Sequence, residues 1–304
     1  MNDLSVNIGP LRLNNPVTVA SGTYGYGTEY LDFYPPERLG AVFLKGVTLK
    51  PRAGNQPPRI VETPAGMLNA IGLQNVGLEE FLKVKLPALS GIGGVFIANI
   101  SGDSIDEYVK LAEALNNAPQ IAALEVNVSC PNVKHGGMAF GISPEATEEI
   151  TRSVRAASRI PVIVKLSPNV TDIAVIARAA ENGGADAVSL VNTILGMVID
   201  VETRRPALGN VTGGLSGPAI RPVAVRMVWQ AARSVKIPVI GMGGIRTARD
   251  AVEFFLGGAT AISVGTAVFQ DPFAPLKILD GIVSFLETHG YSSIHDIIGQ
   301  LKED

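Results

Sequence analysis

The amino-acid sequence predicts a closed (β/α)8 TIM barrel, with an N-terminal β-hairpin plug and two long insertions at the C-terminal rim. Short apolar, β-branched runs recur along the chain, segments with helical spacing separate them, and eight such units fit within 304 residues. Near-continuous apolar strands separated by helices indicate a parallel sheet that is buried on both faces. Eight units over about 250 residues favour a closed barrel over an open doubly wound sheet, which usually has fewer strands.

The order of the predicted elements follows from these patterns. Residues 5–13 alternate polar and apolar side chains around Gly9-Pro10, which is typical of a hairpin, and we expect it to plug the N-terminal mouth of the barrel. The helices open at Ser, Thr or Asp in several cases and close at Gly. Strands are expected at 16–20, 41–45, 95–99, 124–128, 162–166, 187–191, 239–242 and 261–264, and helices at 104–115, 144–157, 172–182, 218–234 and 247–256.

Two connections are too long for ordinary loops of this fold. They comprise residues 46–77, after the second strand, and residues 193–217, after the sixth. Loops of this length in a compact domain are usually lids or binding loops. No linker or low-complexity segment interrupts the pattern, so we expect one domain over residues 1–304.

Composition limits the classes of function. The net charge of −3 gives no electrostatic reason to expect nucleic acid or an acidic membrane surface as the main partner. The N-terminus lacks the pattern of a signal peptide, and no run of about 18 apolar residues occurs, which predicts a cytoplasmic protein. A single cysteine excludes an internal disulfide, a cysteine zinc site and a four-cysteine iron–sulfur cluster within this sequence.

Polar residues or glycines close every predicted strand. Active sites of this fold lie at the C-terminal rim, so these positions are the candidate site. One asparagine at a strand end is most often a turn residue, but three of them with two lysines at one rim indicate a binding site. The strand exits are Ser21-Gly22, Lys45-Gly46, Asn99, Asn127 with Cys130, Lys165, Asn192-Thr193, Gly243-Gly244 and Gly265-Thr266.

The exits of the seventh and eighth strands predict a phosphate site. Glycines at 243, 244 and 265 let backbone N–H groups approach an anion, and the helix start after Thr266 adds a favourable dipole. Sugar phosphates and flavin mononucleotide (FMN) both use such a site, and plain turn glycines are the structural alternative.

Lys45 and Lys165 each end an apolar strand. A lysine that points into a barrel rim is partly desolvated and needs an anionic partner. One could lie beside the electron-accepting edge of a cofactor and the other beside a carboxylate or carbonyl of a ligand. A lysine that extends to solvent and a Schiff-base lysine remain alternatives.

Cys130 is the candidate catalytic residue. Most free cysteines are inert and buried, but this one lies between two asparagines, is followed by Pro131, and precedes Gly136-Gly137, which we expect to leave the loop free to move over a ligand. A thiol can act as a base near neutral pH once a positive charge or a hydrogen bond lowers its pKa, and Lys134 or His135 could supply that charge.

In its strand-exit residues and in the segment around Cys130, the chain resembles the dihydroorotate dehydrogenases, specifically the NAD-linked class 1B catalytic subunits. The resemblance extends over nearly its whole length. The class is indicated by cysteine where the membrane-bound class has serine, by the absence of an N-terminal membrane helix, and by Lys-His-Gly-Gly after Cys-Pro-Asn-Val. The most specific motifs are Asn-Ala-Ile-Gly-Leu-Gln-Asn at 69–75, Asn-Val-Ser-Cys-Pro-Asn-Val-Lys-His-Gly-Gly at 127–137 and Asn-Thr-Ile-Leu-Gly-Met at 192–197.

The resemblance implies one FMN per chain and a pyrimidine site. The implied FMN contacts are Ser21, Lys45, Gly46, Asn99, Asn127, Lys165, Val191, Gly217, Gly243, Gly244, Gly265 and Thr266. The implied pyrimidine contacts are Lys45, Asn69, Ala70, Ile71, Gly72, Leu73, Asn127, Asn192 and Thr193.

The resemblance also implies the reaction and the partners. Cys130 would remove the C5 proton of dihydroorotate while the C6 hydride passes to FMN, and Lys165 would offset the charge of the reduced flavin. Relatives of this class pass electrons to NAD through a subunit that carries FAD and a [2Fe–2S] cluster, and the expected assembly is a homodimer of this chain within a heterotetramer.

Three other functions remain open from the sequence. The nearest is another FMN-dependent pyrimidine oxidoreductase. A phosphosugar isomerase or lyase could use the same phosphate site with Lys165 as acid, base or Schiff-base residue, and a catalytically silent scaffold subunit is the third alternative.

Overall fold

A computed structural model describes residues 2–129 and 141–303 and confirms the predicted fold class. The strands are β1 (Val6–Ile8), β2 (Leu11–Leu13), β3 (Val17–Val19), β4 (Ala41–Phe43), β5 (Ile60–Thr63), β6 (Gly66–Asn69), β7 (Phe96–Ile100), β8 (Ile121–Asn127), β9 (Val162–Lys165), β10 (Ala187–Leu190), β11 (Ile194–Gly196), β12 (Ile199–Asp200), β13 (Arg205–Pro206), β14 (Gly213–Ser216), β15 (Val239–Met242) and β16 (Ala261–Val264). The α-helices are α1 (Gly77–Glu80), α2 (Ile105–Leu115), α3 (Pro144–Ala157), α4 (Ile173–Asn182), α5 (Arg221–Ala232), α6 (Ala248–Leu256), α7 (Ala267–Gln270) and α8 (Ala274–Thr288).

Eight parallel strands close the barrel in chain order. Around the barrel they are β3, β4, β7, β8, β9, β10, β15 and β16, and β16 pairs with β3 to complete the circle. Every residue of β4, β9, β10, β15 and β16 is buried, which agrees with the near-continuous apolar runs of the sequence. Because the strands are parallel, their carboxyl ends meet at one rim.

The predicted helices form close to their expected bounds. Ser104, Ser143, Asp172 and Thr247 each accept a backbone N–H of the first helical turn, so the N-caps inferred from residue type are present. The predicted helix over 218–234 is divided into a 3-10 turn at Pro218–Ile220 and the helix α5. Within the described ranges, no helix combines the length and the apolar character needed to span a membrane.

The N-terminal hairpin lies at the end of the barrel opposite the candidate site. Strands β1 and β2 pair antiparallel around Gly9, whose φ of +58° is a left-handed conformation that favours glycine. A Cβ on Gly9 would lie 2.9 Å from the Cβ of Asp186, which directly precedes β10. The hairpin therefore covers the amino-terminal mouth, as predicted.

The two long insertions form one antiparallel sheet, which we call the rim sheet. It has the strand order β11, β14, β6 and β5, so a strand from residues 46–77 pairs with a strand from residues 193–217. Leu68, Ala70 and Leu208 form a small separate hydrophobic core there. The sequence predicted long loops, but strands form because pairing across the rim gives the backbone groups of both segments hydrogen-bond partners.

We expect Leu68→Ala to loosen the rim sheet without loosening the barrel. Leu68 is 2% exposed in the small core, and a buried Leu→Ala change costs about 2 to 5 kcal/mol. Hydrogen exchange should show faster exchange in β6 and β14 and unchanged exchange in β8 and β9. Leu195→Ala, at a 44% exposed position of the same sheet, is the control. Equal effects of both changes would contradict the separate core.

Candidate active site

The barrel brings the predicted site residues to one rim. Lys45 and Gly46 follow β4, Asn127 and Lys165 are the last residues of β8 and β9, and Asn99 lies within β7. The other strand-exit positions, at the same rim, are Ser21, Val191, Asn192, Thr193, Gly243, Gly244, Gly265 and Thr266. Cys130 and residues 131–137 of its motif lie outside the described residues, three positions and more beyond Asn127.

A buried carboxylate links four neighbouring strands below this rim. Glu125 of β8 has no exposure to solvent. One carboxylate oxygen accepts a hydrogen bond from Asn99 Nδ2 at 2.6 Å, and the other accepts from Ser189 Oγ at 2.7 Å. Lys165 Nζ lies 3.9 Å from the oxygen that Asn99 contacts. Two predicted site residues, Asn99 and Lys165, therefore share one anionic partner.

Glu125 was not among the site residues predicted from the sequence, although a signal was present. It is a charged residue inside the apolar run 121–128, two positions before Asn127. Since side chains of a strand alternate between its two faces, residues two apart share a face. A charge in a fully buried strand is rare unless it is paired, so this residue could have been recognised as part of a polar cluster.

The amide oxygen of Asn99 faces Gly46. Its Oδ1 is buried and has no hydrogen-bond partner within the part of the chain that the structure describes. A Cβ built on Gly46 would lie 2.8 Å from this oxygen, so a larger residue would press against it. A buried acceptor without a partner is costly, which makes Asn99 Oδ1 suited to accept a hydrogen bond from a ligand.

Ser129 connects two other predicted amides. Its Oγ donates to Asn127 Oδ1 at 2.9 Å and accepts from Asn192 Nδ2 at 2.8 Å. The backbone N–H of Ser129 also donates to Asn127 Oδ1 at 3.2 Å, so the amide oxygen of Asn127 faces Ser129. Ser129 was not among the predicted site residues, because its role as a link between β8 and the exit of β10 depends on spatial proximity.

The glycine turns leave open space at the rim. Among the described residues, no atom lies within 4 Å of a Cβ built on Gly22, and only Ala20 Cβ, at 4.0 Å, lies that close to one built on Gly265. Gly243 and Gly244 have φ of +124° and +77°, which favour glycine. Such turns can direct backbone N–H groups at an anion, but the expected helix after Thr266 is a single turn without a side-chain cap.

The rim sheet places the segment 69–73 beside the cluster. Asn69 ends β6 and Ala70 is fully buried, while Leu73 Cδ2 lies 3.9 Å from a Cβ built on Gly46. Asn75 stabilises the return to the barrel, because its Oδ1 accepts from the N–H groups of Thr48 and Gly77 at 3.2 and 2.8 Å. The segment predicted from the sequence to contact a ligand therefore faces the Asn99 side of the rim.

Lys45 lies partly buried at the same rim. Burial lowers its pKa from the ordinary value of 10.5, and the nearby carboxylate of Glu29 opposes part of this effect. The lysine is thus a cation whose charged form is disfavoured by its surroundings and would be favoured by an anionic ligand.

The fold and this site define a (β/α)8 barrel with a cluster of polar side chains and glycine turns at its C-terminal rim. The family model described as "Dihydroorotate dehydrogenase" matches residues 3–286, and the chain belongs to this family.

Curated relatives match over the whole chain. A protein of Bacteroides thetaiotaomicron named "Dihydroorotate dehydrogenase B (NAD(+)), catalytic subunit" is 56% identical over 302 residues, which cover 99% of this chain and 100% of the relative. A protein of the same name from Geotalea uraniireducens is 54% identical over 299 residues, with 98% of each chain covered.

A solved structure confirms the fold. The crystal structure of the dihydroorotate dehydrogenase of Eimeria tenella, in complex with ferulenol, superposes with a TM-score of 0.84 at 24% identity. It covers 98% of this chain and 88% of that one.

We expect Lys45→Met to alter the pH dependence of stability. Because the pKa of Lys45 is lowered in the folded state, the unfolded chain binds more protons between that lowered pKa and 10.5, and the stability of the wild type rises with pH in this window. Below the window the wild type should be less stable than Lys45→Met, and the difference should narrow as pH rises. Urea denaturation at pH 7 to 10 measures it, and a pH-independent difference would contradict the burial of the lysine charge.

Proposed function

We propose that the chain is the FMN-dependent catalytic subunit of an NAD-linked dihydroorotate dehydrogenase, which oxidises dihydroorotate to orotate in pyrimidine biosynthesis. The observation that carries the proposal is the convergence of three asparagines and two lysines on one barrel rim, between open glycine turns. Family membership favours this activity over the phosphosugar isomerase, lyase and scaffold alternatives.

The residues present fit FMN. The open turns at Gly22 and Gly265 and the left-handed Gly243 and Gly244 suit its phosphate, and the unpaired Asn99 Oδ1 suits a ring N–H donor. The residues that would hold FMN are Ser21, Lys45, Gly46, Asn99, Asn127, Lys165, Val191, Gly217, Gly243, Gly244, Gly265 and Thr266.

The same rim offers donors and acceptors for dihydroorotate. An amide offers both a donor and an acceptor, which matches the alternating groups of a pyrimidine ring, and Lys45 suits its carboxylate. The residues that would bind it are Lys45, Asn69, Ala70, Ile71, Gly72, Leu73, Asn127, Asn192 and Thr193.

Two residues would act in the reaction. Cys130 takes the C5 proton as general base, and Asn127, three positions before it, holds the ring. Bound FMN supplies the acceptor for the hydride from C6. Lys165, 5% exposed at the end of β9, places a positive charge where negative charge develops.

The electrons would leave through another subunit. The relatives are named as catalytic subunits of NAD(+)-linked enzymes, and this chain has a single cysteine. We propose a partner that carries FAD and a [2Fe–2S] cluster, in a cytoplasmic heterotetramer around a homodimer of this chain. We further propose that residues 1–304 form a single FMN-binding domain.

The direct test is an anaerobic titration of the purified protein with dihydroorotate, followed by flavin absorbance. Bleaching of a yellow protein supports the proposal. A protein that stays colourless after addition of FMN would refute it.

We expect Cys130→Ala to slow flavin reduction by dihydroorotate by about two to four orders of magnitude, because the base is lost. FMN content and orotate binding should stay close to those of the wild type, and both serve as controls for folding. Stopped-flow absorbance under anaerobic conditions measures the rate. Bleaching at nearly the wild-type rate would exclude the thiol as the base.

We expect the isolated chain to reduce an artificial dye acceptor with dihydroorotate but to reduce NAD poorly. Addition of an iron–sulfur flavoprotein subunit should raise NAD reduction, since the chain alone lacks the route to NAD. The dye assay controls for an inactive preparation. Efficient NAD reduction by the chain alone would overturn the proposed need for a partner.

A further inference from the structure

Glu125 is a buried carboxylate that the proposed reaction does not use. It lies in the barrel interior at 0% exposure, on the strand that ends with Asn127. It lies on β8 and its side-chain contacts come from β7, β9 and β10, so its carboxylate connects four adjacent strands. Burial of a charge is expensive unless it is paired and hydrogen-bonded, and both conditions are met here.

We infer that Glu125 is a positioning residue, which orients the amide of Asn99 and shares the positive charge of Lys165 with the bound cofactor. The inference rests on the proposed function, because it assigns Glu125 a role toward FMN. Glu125 need not contact FMN itself, because it acts through Asn99 and Lys165, which would.

The orientation of Asn99 follows from the chemistry of the carboxylate. An ionised carboxylate only accepts hydrogen bonds, so the amide group 2.6 Å from it must be the NH2 end. The amide oxygen is then directed to the other side, toward Gly46. Ser189 holds the second carboxylate oxygen at 2.7 Å, which prevents the carboxylate from rotating away. Glu125 thereby presents an acceptor, rather than a donor, to the ligand.

Lys165 faces the same carboxylate. Lys165 is 5% exposed, and its Nζ lies 3.9 Å from Glu125 Oε2, which is longer than a direct hydrogen bond. The lysine is therefore paired electrostatically with Glu125 without being bound tightly to it. Its N–H groups can also reach a ligand, and the carboxylate limits how strongly the lysine attracts negative charge.

This arrangement predicts a specific effect of Glu125→Gln on bound FMN. Loss of the negative charge leaves the buried charge of Lys165 uncompensated, which favours the reduced, negatively charged flavin over the oxidised one. The ratio of the dissociation constants of oxidised and reduced FMN should rise on the order of ten-fold relative to the wild type. Redox titration of the bound flavin and quenching of FMN fluorescence measure it without dihydroorotate.

Two variants separate the charge from the orientation. Glu125→Asp keeps the charge but shortens the side chain, so we expect a nearly unchanged ratio and several-fold weaker binding of oxidised FMN. Glu113→Gln removes one charge at an exposed position of α2 and should leave both quantities unchanged. A merely structural role for Glu125 would lower the unfolding temperature of its variants without moving the ratio.

The result that would refute the role of Glu125 differs from the result that would refute the proposed function. A wild-type protein that fails to bind FMN counts against the proposed function. A wild-type protein that binds FMN, together with a folded Glu125→Gln variant whose ratio and affinity stay within two-fold of it, overturns the role of Glu125. If Glu125→Gln does not fold, wild-type FMN affinity in Glu125→Asp overturns it instead.

Discussion

The closure of eight parallel strands into one barrel is the constraint on which the rest of the structure depends. A closed barrel has no free edge, so every strand is paired on both sides and all eight carboxyl ends meet at one rim. Residues that are far apart in the chain, such as Asn99 and Asn192, are therefore neighbours of one site. The insertions after β4 and β10 emerge at this rim as well, which allows β6 and β14 to pair across it.

Closure of the barrel also encloses polar side chains in its interior, beneath the rim. Side chains that point into the barrel cannot reach bulk water, so Glu125, Ser189 and Asn99 must satisfy one another. The cluster is complete except at Asn99 Oδ1, which has no partner among the described residues. Buried groups from several strands therefore fix the positions of the rim residues that would contact a ligand.

The sequence was sufficient to predict the fold and the residues at the rim, but not the contacts between segments that are distant in the chain. Apolar periodicity located all eight barrel strands, and cap residues located helices α2, α3, α4 and α6, because both signals are local. Helix α8 begins without a side-chain cap and was not among the expected helices. The pairing of the two insertions and the link from Ser129 to Asn192 depend on segments about 60 to 150 residues apart, which no local pattern reveals. Glu125 had a local signal, a charge in a buried strand, yet its partners come from three other strands. The position of Cys130 was predicted from its motif alone and stays a prediction.

The rim sheet has a consequence for how members of this family can diverge. Since β6 comes from one insertion and β14 from the other, neither segment has a complete set of backbone partners without the other. Transplanting only one of the two segments from a relative would join strands that were shaped for different neighbours. Changes of length or register in residues 46–77 and in residues 193–217 should therefore be inherited together, as a single exchangeable module on an otherwise constant barrel.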